Sequence, residues 1–200
     1  NMEMVNYLLS KNNIDLINPH QTEGVQWLLN KEKNDCGGLL CDDMGLGKTM
    51  QIASLIIGNP LKMTLIVVPP VVIEQWLQCI NLVVKGLDIN YRVLTFTGKN
   101  NRYTISEIIK SHIDSDDKHF IVIVSYHMII RRHKNLRRES CTPRLGFKWD
   151  RLVLDEIHTI RNPNSKINWT IGNIKSNIRW GLSGTPINNR LNDIRTLIKF

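Results

Sequence analysis

Leu39-Leu40-Cys41-Asp42-Asp43-Met44-Gly45-Leu46-Gly47-Lys48-Thr49 is the stretch whose reading decides the fold. An apolar run, a glycine-rich turn and then Lys-Thr at the head of a helical stretch have the layout of a phosphate-binding loop. Gly45 and Gly47 lack a Cβ, so backbone N–H groups can close on phosphate oxygens. The helix beyond adds its positive end to the same place. Lys48 is set to reach the β- and γ-phosphates of a bound nucleotide, and Thr49 to offer its hydroxyl to Mg²⁺. Asp42 occupies the position where the full G-x-x-x-x-G-K-[ST] pattern has its first glycine, and Asp42, Asp43, Met44 and Leu46 complete the expected cradle. The bland alternative is a helix start that happens to carry Gly and Lys.

Outward from this loop, short Val/Ile/Leu runs alternate with amphipathic stretches, the pattern of parallel strands joined by crossover helices. Strands are expected at Gly38 to Cys41, Thr64 to Val68, Tyr91 to Phe96, Phe120 to Val124, Arg151 to Leu154 and Ile178 to Leu182. Asn18 followed by Pro19 starts a helix running to about Lys33. Further helices are expected at Thr49 to Ile57, Val72 to Val84, Ile105 to His112 and Ser165 to Ile174. Ser115 to His119 and the basic stretch Arg131-Arg132-His133-Lys134, continuing to Arg137-Arg138, read as loops. The basic stretch is either solvated or a phosphate contact.

A second motif lies where Arg151-Leu152-Val153-Leu154 runs into Asp155-Glu156-Ile157-His158. A strand ending in two carboxylates delivers them to the carboxyl edge of a parallel sheet, where α/β proteins bind ligands. Behind a phosphate loop the pair has a division of labour. Asp155 holds Mg²⁺ through water, and Glu156 orients and deprotonates an attacking water.

Composition narrows the class. Of 200 residues, 42% are hydrophobic and 22% charged, which suits one globular domain that needs no disulfide staple. No apolar run approaches the ~20 residues of a membrane span, and the amino terminus lacks the layout of a secretory signal. The four cysteines, Cys36, Cys41, Cys79 and Cys141, make no Cys-x-x-Cys pair, which points to free thiols rather than zinc. Cys41, ending an apolar run, is expected in the core. The net charge of +8 and pI of about 9.5 favour a polyanionic partner, nucleic acid first. Trp76, at helical spacing with Ile73 and Ile80, reads as core rather than as a base-stacking platform.

Taken together, the motifs resemble the superfamily 2 helicases, whose DExH box is similar to the DEIH tetrapeptide at Asp155, and within them the Swi/Snf-type ATPases. PHQTEGVQWLL from Pro19 resembles that family's opening glutamine motif. LIVVPPVVIEQW from Leu65 is similar to its motif Ia, DEIHTIRN from Asp155 to its extended Walker B, and LSGTPINNRLNDI from Leu182 to its motif III. The resemblance runs from Pro19 to Phe200. This chain departs from the family pattern mildly, with Asp43 for Glu, Pro70 for Ser, Ile157 for Ala, Ser183 for Thr and Asn188 for Gln.

The resemblance implies an α/β fold, a RecA-like P-loop NTPase lobe with a mostly parallel sheet flanked by helices. It implies residues 1–18 as a lead-in and 19–200 as the ATP-binding lobe of a motor that uses ATP and Mg²⁺. A second RecA-like lobe would bring the arginine fingers from elsewhere in a longer protein, and a chain opening on Asn1 rather than Met is expected to be a piece of one. Gln21 would read adenine, whose N7 acceptor and N6 donor match a side-chain amide; the bland reading of Gln21 is an exposed helix residue. His158 and the Ser183-Gly184-Thr185 turn would couple γ-phosphate loss to the DNA side. Their bland readings are a helix cap and a proline turn.

Double-stranded DNA is the implied partner, touched near Pro69, at Ser125, Tyr126 and His127, and at Arg161 and Asn162. A DExH-type RNA helicase lobe and a non-catalytic nucleic-acid-binding lobe are the rival readings. The expected place of work is the nucleus for a cellular protein, or host cytoplasm or virion for a large DNA virus. Neither membrane insertion nor secretion is expected.

Overall fold

The computed structural model describes residues 2–14, 19–96, 118–130 and 148–185. The apolar runs pair as six strands: β1 (Gly38–Leu40), β2 (Met63–Val68), β3 (Asn90–Phe96), β4 (Lys118–Ser125), β5 (Trp149–Leu154) and β6 (Ser176–Leu182). They form one sheet in the order β1-β6-β5-β2-β4-β3, with every pairing parallel. Such a sheet is covered on both faces, which is why its central strands read as unbroken hydrophobic runs; every residue of β2 is buried.

The helices are α1 (Met2–Ser10), α2 (Pro19–Glu32), α3 (Lys48–Gly58), α4 (Ile73–Val84), α5 (Tyr126–Ile130) and α6 (Lys166–Gly172), with short 3₁₀ turns at Pro70–Val72 and Ile157–Ile160. Helices α1 to α4 pack on the face carrying Ile66, Val68, Val153 and Trp180. The other face, with Leu65, Val67, Leu152 and Leu154, is closed by α5, α6 and the Ile157–Ile160 turn. No helix among the described residues is long and apolar enough to cross a membrane.

Three details differ from the sequence reading. His119 belongs to β4 rather than to a polar loop, because it continues the pairing opposite Tyr91 and its Nδ1 lies 3.1 Å from the Leu61 carbonyl oxygen. Cys41 is exposed, since β1 ends at Leu40 and the chain leaves the sheet there. Residues 2–10, expected only as a lead-in, form a helix that buries Val5, Leu8 and Leu9. A Cβ added at Gly58 would stand 2.4 Å from Val5 Cγ2, so α1 and α3 touch where α3 ends in glycine. The expected helix at Ile105 to His112, the basic stretch from Arg131, and the chain from Pro186 onward lie outside the described residues.

The amino half of the sheet carries a buried polar cluster. Arg151 Nε donates to Glu32 Oε1 at 2.7 Å, and Arg151 Nη2 donates to Glu32 Oε2 as well. Asn59 Nδ2 donates to Glu32 Oε2 (2.7 Å) and Trp180 Nε1 to Glu32 Oε1 (2.8 Å). The remaining guanidinium donors reach Thr64 Oγ1 (3.3 Å) and the Asn59 carbonyl (2.9 Å). Both charged side chains are wholly buried. The strands then all end on the opposite edge, which receives the loop after β1, Pro69 after β2, Tyr126 after β4, Asp155 after β5 and Ser183 after β6. That edge is where parallel α/β sheets bind ligands.

Candidate active site

The loop between β1 and α3 bends as its glycines allow. Gly45 has φ 85° and Gly47 φ 80°, a left-handed conformation that side chains strain to adopt. Gly47 is doubly constrained, since an added Cβ would lie 2.2 Å from Gln21 Nε2. Lys48 Nζ donates back to the carbonyl oxygens of Asp42 (2.6 Å) and Asp43 (2.9 Å). Asp43, Met44 and Gly45 are exposed, while Leu46, Lys48 and Thr49 are half-buried at the head of α3.

Two glutamines, Gln21 of α2 and Gln51 of α3, hold this loop. Gln21 Nε2 donates to the Leu46 carbonyl at 3.3 Å, which sets the side chain on the loop rather than in solvent. Gln51, wholly buried in α3, donates to Asp42 Oδ2 at 2.8 Å. His20 Nε2 lies 3.0 Å from the same Asp42 oxygen. Asp42 therefore stands in a glycine's place in the motif because it has two partners to meet. Gly24 makes room, for a Cβ there would be 2.0 Å from Gln51 Oε1. The sequence reading missed Gln51. Its signal is a polar residue on the inward face of an otherwise apolar helix.

Asp155 and Glu156 follow β5 directly. All four polar atoms of Asp155 have partners. Its N–H donates to the Val67 carbonyl (2.9 Å), and its own carbonyl accepts the Tyr126 hydroxyl (2.7 Å). Oδ1 accepts the Glu156 N–H (3.0 Å) and Oδ2 accepts Trp76 Nε1 (2.8 Å). Burial pushes the Asp155 carboxyl above its ordinary range and the Glu156 charge adds to this. The Trp76 and Glu156 N–H groups and the Lys48 ammonium oppose it. Glu156 sits at φ 50°, ψ 55°, an uncommon setting for a residue with a side chain. Its Oε2 lies 3.0 Å from His158 Nδ1 but out of line for a hydrogen bond, and both atoms are buried without a hydrogen-bond partner.

These features fit a nucleotide with its metal ion. The loop presents a lysine on its own carbonyls and two left-handed glycines. The facing strand presents a carboxylate whose charge the lysine feels, beside a glutamate oxygen and a histidine nitrogen that are buried and unbonded. Residues 20–200 match the profile of the SNF2-related domain. The chain belongs to this family. As an SNF2-related domain it is similar to Protein CHROMATIN REMODELING 24 of Arabidopsis thaliana, at 32% identity over 98% of this chain and 18% of that protein. It is also similar to DNA repair protein rad8 of Schizosaccharomyces pombe, at 31% identity over 82% of this chain and 16% of that protein. Among solved structures it resembles the Sulfolobus solfataricus SWI2/SNF2 ATPase core in complex with dsDNA, with TM-score 0.70 and 26% identity, covering 92% of this chain and 35% of that one. The chain thus spans under a fifth of the length of the curated relatives named here.

In this SNF2-related domain the turn after β6 closes on the phosphate loop. Ser183 N–H donates to the Leu40 carbonyl (3.1 Å), and Thr185 N–H donates to Ser183 Oγ (3.1 Å). A Cβ on Gly184 would lie 2.8 Å from Met44 Cγ, so the turn and the loop touch. Arg161 Nη2 donates to the Thr185 carbonyl at 3.1 Å, tying the segment after the DEIH box to the same turn. Asn162 is exposed and folds on itself, its Oδ1 accepting the Asn164 N–H at 3.0 Å.

Of the residues expected near DNA, Pro69 is half-buried and His127 exposed. Ser125 and Tyr126 face inward. Tyr126 is 2% exposed, and its hydroxyl is taken by the Asp155 carbonyl, so this side chain serves the interior of the site rather than a surface. The Cys41 thiol, though exposed, is raised by partial burial and then by the Asp42 carboxylate, which keeps it protonated at neutral pH.

Proposed function

We propose that this chain is the ATP-binding lobe of an ATP-hydrolysing motor that travels on double-stranded DNA. The lobe spans residues 19–200 with α1 packed onto it, and a second RecA-like lobe belongs to the same longer protein. The observation that carries the reading is the convergence of the Lys48 loop and the Asp155-Glu156 strand end on one edge of the sheet, near enough for the lysine charge to act on Asp155.

In this reading Lys48 exchanges the Asp42 and Asp43 carbonyls for the β- and γ-phosphates. The backbone N–H groups of Gly45 to Lys48 take phosphate oxygens at the head of α3. Gln21, already lying on the loop, meets the adenine edge. Mg²⁺, when bound, draws off phosphate charge. Thr49 would hold it directly and Asp155 through water. Glu156 accepts the proton of the attacking water, and its strained backbone aims the carboxylate away from the strand. His158 and the Ser183–Thr185 turn, touching both Glu156 and the loop, report the state of the γ-phosphate. DNA phosphates meet Pro69, His127, Arg161 and Asn162 and the backbone at Ser125, without reading sequence. The relatives named for chromatin remodelling and DNA repair support the nucleus as the place of work of a cellular protein.

The test is hydrolysis by the full-length protein with duplex DNA, single strands and RNA compared. Duplex DNA is expected to stimulate most. Equal or greater stimulation by RNA would return the RNA-helicase reading. Tight nucleotide binding with no hydrolysis under any condition would return the non-catalytic one.

A further inference from the structure

Trp76 is wholly buried in α4 among Ile73, Ile80 and Val83, and core packing accounts for its ring. Packing does not account for its N–H. A buried indole donor needs an acceptor, and a phenylalanine or leucine would fill a core site without one. Here the donor reaches Asp155 Oδ2 at 2.8 Å. The other three polar atoms of Asp155 are held by Val67, Tyr126 and Glu156, all through backbone atoms of Asp155 or of its partner. Among the described residues the Trp76 bond is the only one to Asp155 between two side chains, and with the Glu156 N–H on Oδ1 it holds both carboxylate oxygens. A carboxylate held by one donor on each oxygen is restrained in orientation and keeps its second lone pairs for a ligand.

We propose that Trp76 is a positioning residue for the metal-binding carboxylate: its indole N–H orients Asp155 toward the Mg²⁺ that accompanies the nucleotide. The inference rests on the reading of Asp155 given under Proposed function. Partners that orient a metal's protein environment are worth roughly 10–100-fold in metal affinity, and a carboxylate acting through water belongs at the lower end. Trp76 also joins the Mg²⁺ side of the site to α4, the helix that follows directly on Pro69 and the Pro70–Val72 turn.

The experiment uses the full-length protein, the variant Trp76→Phe, and a second variant with benzothienylalanine at position 76. The latter keeps the bicyclic shape and replaces only the N–H, so it remains informative if Trp76→Phe does not fold. Two affinities are measured: that of a fluorescent ATP analogue with the metal chelated, and that of Mn²⁺ for the analogue-bound protein, followed by electron paramagnetic resonance. We expect Mn²⁺ affinity to fall about tenfold while metal-free nucleotide affinity stays within about twofold. Unchanged Mn²⁺ affinity, or a parallel loss of both affinities, would mean that Trp76 only supports the core and overturns the proposal. If the parent protein itself shows no metal-dependent gain, the Mg²⁺ role of Asp155 fails first and the proposal falls with it.

Discussion

Two tryptophans in this molecule donate to two carboxylates at the same 2.8 Å, Trp180 to Glu32 and Trp76 to Asp155. Arg151 lies within β5 and Asp155 just past its end, four residues and about 13 Å apart. The first carboxylate is closed. Glu32 meets a guanidinium through both oxygens and an amide besides, and its side chain is wholly buried. The second is open. Asp155 is buried enough to push its carboxyl upward, yet only N–H groups and the Lys48 ammonium support its charge. The same bond therefore does opposite things. In the closed cluster it completes a structure, and in the open one it aims a group whose charge still lacks a full partner.

The sharpest way to break this contrast is at the open end. Glu156→Gln keeps shape and removes the base, so the full-length protein should bind nucleotide normally and lose about 10²–10⁴-fold in turnover. A steady-state rate equal to the parent's would mean that the open end is not where water is activated.

The same carboxylate-to-amide change can then be compared at both ends by denaturant unfolding. Glu32→Gln leaves the Arg151 charge buried and should cost about 3–5 kcal/mol. Asp155→Asn removes a charge that the fold disfavours but sets an amide NH2 against the Trp76 or Glu156 N–H, and should cost about 2 kcal/mol. The sign follows from the direction of the shift. A carboxyl raised in the folded state contributes stability below its unfolded value and loses it as pH rises through the folded one. The balance between Asp155→Asn and the parent should accordingly move toward the variant as pH is raised from about 4 to about 7.5. Similar losses at both positions would erase the distinction between closed and open.

The smallest effect expected is at Trp180→Phe. Glu32 keeps Arg151 and Asn59, so the loss should be about 1.5 kcal/mol, the low end for a hydrogen bond to a charged group. A cost as large as that of Glu32→Gln would show that the indole, not the guanidinium, organises the closed cluster.

Periodicity and motif spacing placed all six strands within three residues of their observed limits, because a doubly covered parallel sheet writes itself as apolar runs. The loop and the DEIH strand were equally legible, since glycines, a lysine and paired carboxylates at strand ends have few other uses. The partners that hold those groups were not. Trp76 looked like core and is core, but its N–H direction depends on how α4 crosses the sheet. Glu32 and Arg151 are 119 residues apart, and no motif links them. Tyr126 was expected toward DNA from the family resemblance, whereas at the start of α5 its ring is buried. Cys41 was expected inside because the apolar run seemed to include it, yet pairing with β6 carries β1 only to Leu40.

The amino-terminal helix shows that a family profile and a folding unit need not have the same borders. The family profile starts at residue 20, but Val5, Leu8 and Leu9 already lie in the core, against the end of α3. Each buried side chain of this kind is worth roughly 1.5–3 kcal/mol. A protein trimmed to the edge of the recognisable motifs would keep every residue of the phosphate loop and still give up a good part of a small domain's margin against unfolding. It would also bare a greasy strip along the helix that carries Lys48, inviting self-association. An inactive fragment cut at that point would thus say more about where it was cut than about its chemistry.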